Sequence, residues 1–219
     1  MVMKGVSVIY ESISCNYINF AYSMCYRHSI FYPKLLMAIY SKKIYAGQYD
    51  KAIQQMNAPL YTFLFSEYEK NYNILRTYIS KQDTNEITKQ VEFMLSQNLN
   101  NSQAYQVASM TYFYFLDVQN IELSKKLLDI IERKGNEDEI AYDRMLYRIL
   151  IEKKSEDIPL VNELLSKHPD NQQQGILQYL LGLQYQYLSD TKQANYYLNK
   201  AKKNLKGTPY HKKVKESMV

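Results

Sequence analysis

The residues of this chain that could bind a metal lie near its start. Cys15 and Cys25 are followed by His28, which gives the spacing C-x9-C-x2-H. Structural zinc sites use closer cysteine pairs and a fourth ligand. We therefore expect no metal site, and two cysteines in a chain of 219 residues are too few for a disulfide framework. Reduced thiols in a cytoplasmic protein are the expected state.

The other residue types that catalyse reactions are scattered. The chain has three His, at positions 28, 168 and 211, and it lacks a phosphate-binding glycine loop, an H-E-x-x-H motif and a nucleophile elbow. Acidic runs at 137–139 and 156–157 fall at predicted helix starts, where a carboxylate interacts favourably with the helix dipole. The sequence predicts a protein that is not an enzyme and that has no cofactor.

Positive charge is concentrated near the C-terminus. The formal net charge is +5, yet residues 197–219 contain seven Lys and only Glu216 as an acid. The rest of the chain is therefore nearly neutral, whereas a nucleic-acid-binding fold usually spreads its basic residues over a face. Two interpretations of these lysines stay open: a solvated helix end, or a contact with an acidic partner, a membrane or RNA. The candidate contacts are Lys200, Lys202, Lys203 and Lys206.

The composition favours an all-helical protein. Six Gly and five Pro are few for 219 residues, and both types interrupt helices. The chain also has 23 Tyr and no Trp. A tyrosine ring packs like an apolar side chain while its hydroxyl needs water or a partner, which suits an elongated fold whose core lies close to the surface.

A period of 35 residues runs through the chain. Asn101, Asn136 and Asn171 each begin a helical run, and each lies 35 residues after the one before. The same step relates Asn120 to Ser155 and Asp190, which are cap-type residues before a second helix. The period predicts five units of two helices, at residues 31–65, 66–100, 101–135, 136–170 and 171–205.

The last unit resembles a tetratricopeptide repeat (TPR). It has the large, small and aromatic residues of that family's two helices, with Ser189-Asp190 at the turn between them. The first unit and the His168-Pro169-Asp170-Asn171 junction are similar to the family pattern, and the middle units keep mainly the period. The matching residues are Leu181, Gly182, Tyr185, Ala194, Tyr197 and Ala201, and in the first unit Ile39, Gly47, Tyr49 and Ala52.

The resemblance implies a fold and a type of function for residues 31–205. The fold would be a right-handed superhelical stack of about five antiparallel helix pairs, a TPR-like α-solenoid. The function would be a protein–protein interaction scaffold that holds a peptide or a partner protein on an inner surface lined by the first helix of each pair. The alternative is that the same rings pack between helices, especially Tyr185. The candidate groove residues are Tyr40, Lys43, Tyr112, Tyr147 and Tyr185.

Residues 1–30 and 206–219 flank the repeats. The first segment is hydrophobic and allows three interpretations: a helix packed on the first repeat, a degenerate membrane segment, or an export or lipid signal. The second possibility would make the protein membrane-associated. The last segment, 206–219, is predicted to be a basic tail. One helical face of the first segment comprises Ile9, Ile13, Tyr17, Phe20 and Met24.

Overall fold

The computed structural model describes residues 34–167, 170–208 and 210–218, and these residues form helices, turns and loops without any strand. The predicted N-terminal segment 1–30 therefore lies outside the described residues. The chain divides into two compact units, of which the first ends at Leu99 and the second begins at Asn100. This boundary falls within one residue of a predicted repeat boundary.

The described part of the first unit contains five helices. They are α1 (residues 34–45), α2 (Tyr49–Met56), α3 (Pro59–Leu64), α4 (Glu67–Lys81) and α5 (Thr84–Ser96). Helix α4 packs against α2, α3 and α5. Its first turn is fixed by a capping box, in which the Ser66 hydroxyl accepts from the Glu69 backbone N–H at 3.2 Å and the Ser66 backbone N–H donates to the Glu69 carboxylate at 2.8 Å.

The second unit contains seven helices among its described residues. They are α6 (Asn101–Asp117), α7 (Ile121–Glu132), α8 (Glu137–Leu150), α9 (Ile158–Ser166), α10 (Asn171–Tyr187), α11 (Thr191–Asn204) and α12 (Tyr210–Ser217). The most extensive packing joins α10 to α11 and α6 to α7, and α9 packs on α10. The predicted basic tail thus contains a helix, α12, which packs on α10 and α11.

Among the described residues, each of the five predicted repeats has one left-handed residue, in the connection between its two helices. These residues have φ between 55° and 68° and follow one another at intervals of 34 to 37 residues. In four of the five, the next residue is the N-cap of the second helix of the pair. The local backbone therefore repeats with the period found in the sequence. The five residues are Gly47, Gln82, Gln119, Lys153 and Ser189.

The predicted caps of the second helices are correct in two cases and wrong in one. Asn120 and Asp190 cap α7 and α11, and each side chain accepts a hydrogen bond from the backbone three residues on. Ser155 does not cap α9, which begins at Ile158 with Asp157 as its N-cap residue. The connection is longer here, and the Asp157 carboxylate forms an ion pair with Arg148 instead of a hydrogen bond to the first turn of α9.

The small residues of the last hairpin permit a close approach of its two helices. A Cβ atom placed on Gly182 of α10 would lie only 2.6 Å from the Leu198 side chain of α11. Ala194 is buried on the facing helix. The two helices of this hairpin are therefore in close contact, and Gly175 makes a similar approach to Leu205.

Candidate functional site

Two of the predicted groove residues lie in the first unit. Tyr40 of α1 is a core residue with only 4% of its surface exposed. Its hydroxyl donates to the backbone oxygen of Asn73 at 3.2 Å and lies 3.3 Å from the Thr77 hydroxyl. Lys43, three residues further along the same helix, is half-buried. Tyr40 is thus a packing residue that fixes α1 against α4.

Tyr112 and Tyr147 lie in the second unit. Tyr112 exposes 2% of its surface, and its hydroxyl donates to the backbone oxygen of Asp143 at 2.8 Å. Burial raises the pKa of Tyr112, so that the ring stays neutral while it joins α6 to α8. Tyr147 is half-buried on α8, and burial raises its pKa as well.

Tyr185 takes part in the packing of a single hairpin. Its ring lies parallel to that of Tyr197, with an interplanar angle of 2° and 5.5 Å between centroids. This is the packing alternative that the sequence left open for this ring. Tyr40, Tyr112 and Tyr185 thus each join neighbouring helices within their own unit, and Lys43 and Tyr147 are half-buried.

The predicted basic contacts lie at the end of α11. Lys200 lies over the ring of Tyr196 at 4.2 Å from the centroid, and Lys202 and Lys203 occupy the last turn of the helix. Lysines in this position interact favourably with the helix dipole. Lys206 is exposed in the connection to α12.

One surface of the second unit, which holds the last helix, was not predicted from the sequence. It is the surface on which α12 lies, formed by Phe113 and Asp117 of α6 and by Tyr179 and Gln186 of α10, and we call it the α12 platform. At the start of α12, the Tyr210 ring packs against Phe113 with 5.9 Å between centroids. One turn later, Lys213 forms an ion pair with the Asp117 carboxylate, 96 residues away in sequence.

The end of α12 is held by hydrogen bonds to α10. The Gln186 side-chain amide donates to the backbone oxygen of Ser217 at 2.5 Å, and the hydroxyls of Tyr179 and Ser217 lie 3.4 Å apart. Between these polar contacts, Val214 is fully buried beside Leu198, Ala201 and Leu205 of the last hairpin. One face of α12 therefore makes aromatic, ionic, apolar and hydrogen-bonded contacts in order along its length.

The contact between α12 and the platform is only partly filled. A cavity of about 100 Å³ lies between α6, α10 and α12, with Phe113, Asp117, Tyr179, Tyr210 and Lys213 in its wall. Burial, together with the nearby Asp117 carboxylate, raises the pKa of Tyr210 to about 12, so this ring is a neutral contact at physiological pH. The ion pair with Lys213 is thus the charged contact of α12 with the platform.

A polar network with buried members also contacts α10. The Arg148 guanidinium of α8 donates to the Asp157 carboxylate, with 2.8 Å from Nε to Oδ2, and Asp157 exposes only 5% of its surface. The Asp157 backbone N–H in turn donates to the side-chain oxygen of buried Gln184 at 3.1 Å. This network ties the connection before α9 to α8 and to α10.

One signal in the sequence pointed to the platform contact. Tyr210, Lys213, Val214 and Ser217 follow the spacing i, i+3, i+4 and i+7, which places them on one helical face. Their partners in α6 and α10 lie at large sequence separations, and no local pattern identifies them.

Two further chemical features are absent from the part of the chain that the structure describes. Within it, no group of three or more His, Cys, Asp or Glu side chains is placed to hold a metal ion. Also within it, no helix has both the length and the apolar character needed to cross a bilayer. Comparison of the chain with protein-family profiles, with curated proteins and with solved structures gave no match.

Proposed function

We propose that the protein is a non-enzymatic scaffold of TPR-like helix pairs, stacked with a right-handed sense within each compact unit, that binds a peptide or a partner protein. The observation that carries this proposal is the α12 platform. First helices of two hairpins, α6 and α10, together hold a third helix through side chains of mixed chemistry. A surface of this kind is suited to bind a helix or an extended peptide.

The repeated hairpin turn supports the architectural part of the proposal. Left-handed residues at intervals of 34 to 37 residues, each within a helix–helix connection, are what a chain of stacked hairpins requires. A single hairpin cannot bury its apolar face alone, so neighbouring pairs cover one another and leave their first helices available for binding.

Site-specific photo-crosslinking tests the proposal in cells that express the full-length protein. A photoreactive amino acid replaces Ser109, an exposed residue of the first helix α6, or Lys125, an exposed residue of the second helix α7 in the same hairpin. We expect Ser109 to capture a defined partner protein, identified by mass spectrometry, and Lys125 not to capture it. Equal capture from both positions, or no covalent adduct from either, would contradict the proposal.

A further inference from the structure

We propose that α12 is an exchangeable occupant of the α12 platform and that the partner replaces it with a cationic amphipathic helix of the same pattern. This inference rests on the proposed function and specifies the site and the chemistry of the partner. The occupied state is then a closed form of the scaffold, and the partner binds the open form.

Helix α12 buries few side chains against the rest of the second unit. It has eight residues, and Val214 is its one fully buried side chain. By contrast, α11 buries Ala194, Leu198 and Ala201. A helix this short is marginal in isolation, and segments with few buried contacts open locally before the rest of a protein unfolds.

The opposite face of α12 and its connection are compatible with release. Lys212 exposes 84% of its side chain, and Lys215 and Glu216 are exposed as well. The connection from α11 contains Gly207 at φ +84°, with no atom within 4 Å of the position of a Cβ. The backbone at Gly207 is therefore not held by neighbouring side chains, and the contact near this end that has to break is the one between His211 Nδ1 and the Lys202 backbone oxygen at 3.1 Å.

The platform determines the chemistry of whatever replaces α12. The Asp117 side chain is only 33% exposed and lies beside the rings of Phe113 and Tyr210. A half-buried carboxylate that loses its cation without regaining water is destabilised, so an incoming segment has to supply a Lys or Arg. The pattern expected of the partner is an aromatic residue, a cation three positions later, an apolar residue next to it and a small hydrogen-bonding residue one turn on.

The test uses the full-length chain and a fluorescein-labelled peptide with the sequence of residues 207–218. The variant Lys213→Glu places a second carboxylate beside Asp117 and is expected to release α12. The control Lys212→Glu makes the same charge change on the exposed face. Because the apparent affinity of a site falls with the fraction of molecules that are open, we expect the peptide to bind Lys213→Glu at least about tenfold more tightly than wild type or Lys212→Glu, as measured by fluorescence anisotropy at low salt.

A charge exchange tests whether the pair between positions 117 and 213 controls peptide binding. The double variant Asp117→Lys with Lys213→Glu restores an opposite-charge pair between α6 and α12 and also repels the lysine of the peptide, so its affinity for the peptide should return to the weak value of wild type. Strong binding by this double variant would overturn the proposal. So would a Lys213→Glu protein that keeps its helical circular dichroism spectrum yet binds the peptide no better than Lys212→Glu.

Hydrogen exchange of the wild-type protein decides the matter even if Lys213→Glu fails to fold. We expect the α12 amides to exchange well before those of α10 and α11, and exchange of all three helices at one rate would overturn the proposal.

A wild-type dimer by light scattering that excludes the peptide would also overturn it, because the occupant would then be a second copy of this chain. If crosslinking at Ser109 captures a partner while these tests fail, the scaffold function stands and only the exchange of α12 falls.

Discussion

The carboxyl group of Asp143 links the stability of the second unit to pH. Burial raises its pKa to about 6, and the like charge of Glu139, one turn earlier on α8, adds to the effect. A carboxyl group whose pKa is higher in the folded state than in the unfolded state favours folding when it is protonated. Its contribution is complete below about pH 4 and is lost as the pH rises through about 6.

The substitution Asp143→Asn should therefore stabilise the protein at neutral pH. The shift from 3.8 to about 6 corresponds to an upper limit of about 3 kcal/mol, which solvent screening of this partly exposed group reduces to about 1–2 kcal/mol. Urea unfolding at about pH 7.5 should show the gain, and at about pH 4 the variant and wild type should converge. Asp129→Asn, on an exposed residue of α7, is the control. A gain of equal size at both pH values would contradict the role assigned to burial.

The small side chain of Ala194 matches its buried position in the last hairpin. It is buried in α11, one turn before Leu198, which Gly182 of α10 approaches closely. Ala194→Leu should overpack this contact and lower the free energy of unfolding by about 1–3 kcal/mol. Ala141→Leu makes the same change at an exposed position of α8 and should alter the urea midpoint little. Similar midpoints for the two variants would contradict this explanation.

At the scale of the element, the left-handed turn before α11 is occupied by a residue that does not favour it. Ser189 has φ 60°, a conformation that disfavours residues with a Cβ by about 1 kcal/mol or more. Ser189→Gly should relieve this strain and raise the melting temperature. The net gain in the free energy of unfolding is about 0.5–1 kcal/mol once the greater flexibility of unfolded glycine is included. Ser155→Gly lies in a connection at a position without positive φ and should destabilise slightly. A lower melting temperature for Ser189→Gly would contradict this explanation.

The elements that sequence reasoning predicted correctly depend on local signals. Asn120 and Asp190 cap helices through bonds to residues three positions away, so residue type and spacing suffice to find them. The prediction that Ser155 caps α9 was wrong, since the helix begins after Asp157, whose carboxylate pairs with Arg148 of α8. Local signals do not contain such contacts.

The site residues were harder to predict than the helices, for a related reason. Periodicity places Tyr112 on the first helix of its pair, but a tyrosine suits both a core and a surface, and only the hydroxyl bond to Asp143 shows which one applies. The α12 platform depends on a pair 96 residues apart, Asp117 and Lys213. A helical face is visible in the sequence, while the surface that receives it appears only when the chain is folded.

At the scale of the whole molecule, the charge distribution takes on a structural meaning. The excess of lysine in residues 197–219 is divided between the end of α11, where it faces the helix dipole, and α12, where Lys213 is paired with Asp117. The charge is thus partly used to place the last helix, and Lys212 and Lys215 face solvent from the other side of it.

The division of the chain at Asn100 predicts that the second unit folds alone. Asn100 forms a capping box with Gln103: the Gln103 backbone N–H donates to the Asn100 side chain at 2.9 Å, and the Asn100 backbone N–H donates to the Gln103 side chain at 3.1 Å. The start of α6 is therefore fixed by residues within the second unit. A fragment of residues 100–219 keeps Phe113 and Asp117 beneath α12 and should show a helical circular dichroism spectrum with a cooperative thermal transition. The matched fragment 136–219 loses both residues, and its α12 amides should exchange faster than in 100–219 because Lys213 and Tyr210 no longer have partners on α6. A non-cooperative transition of fragment 100–219, or equal exchange of α12 in the two fragments, would contradict the assignment of α12 to a surface built jointly by α6 and α10.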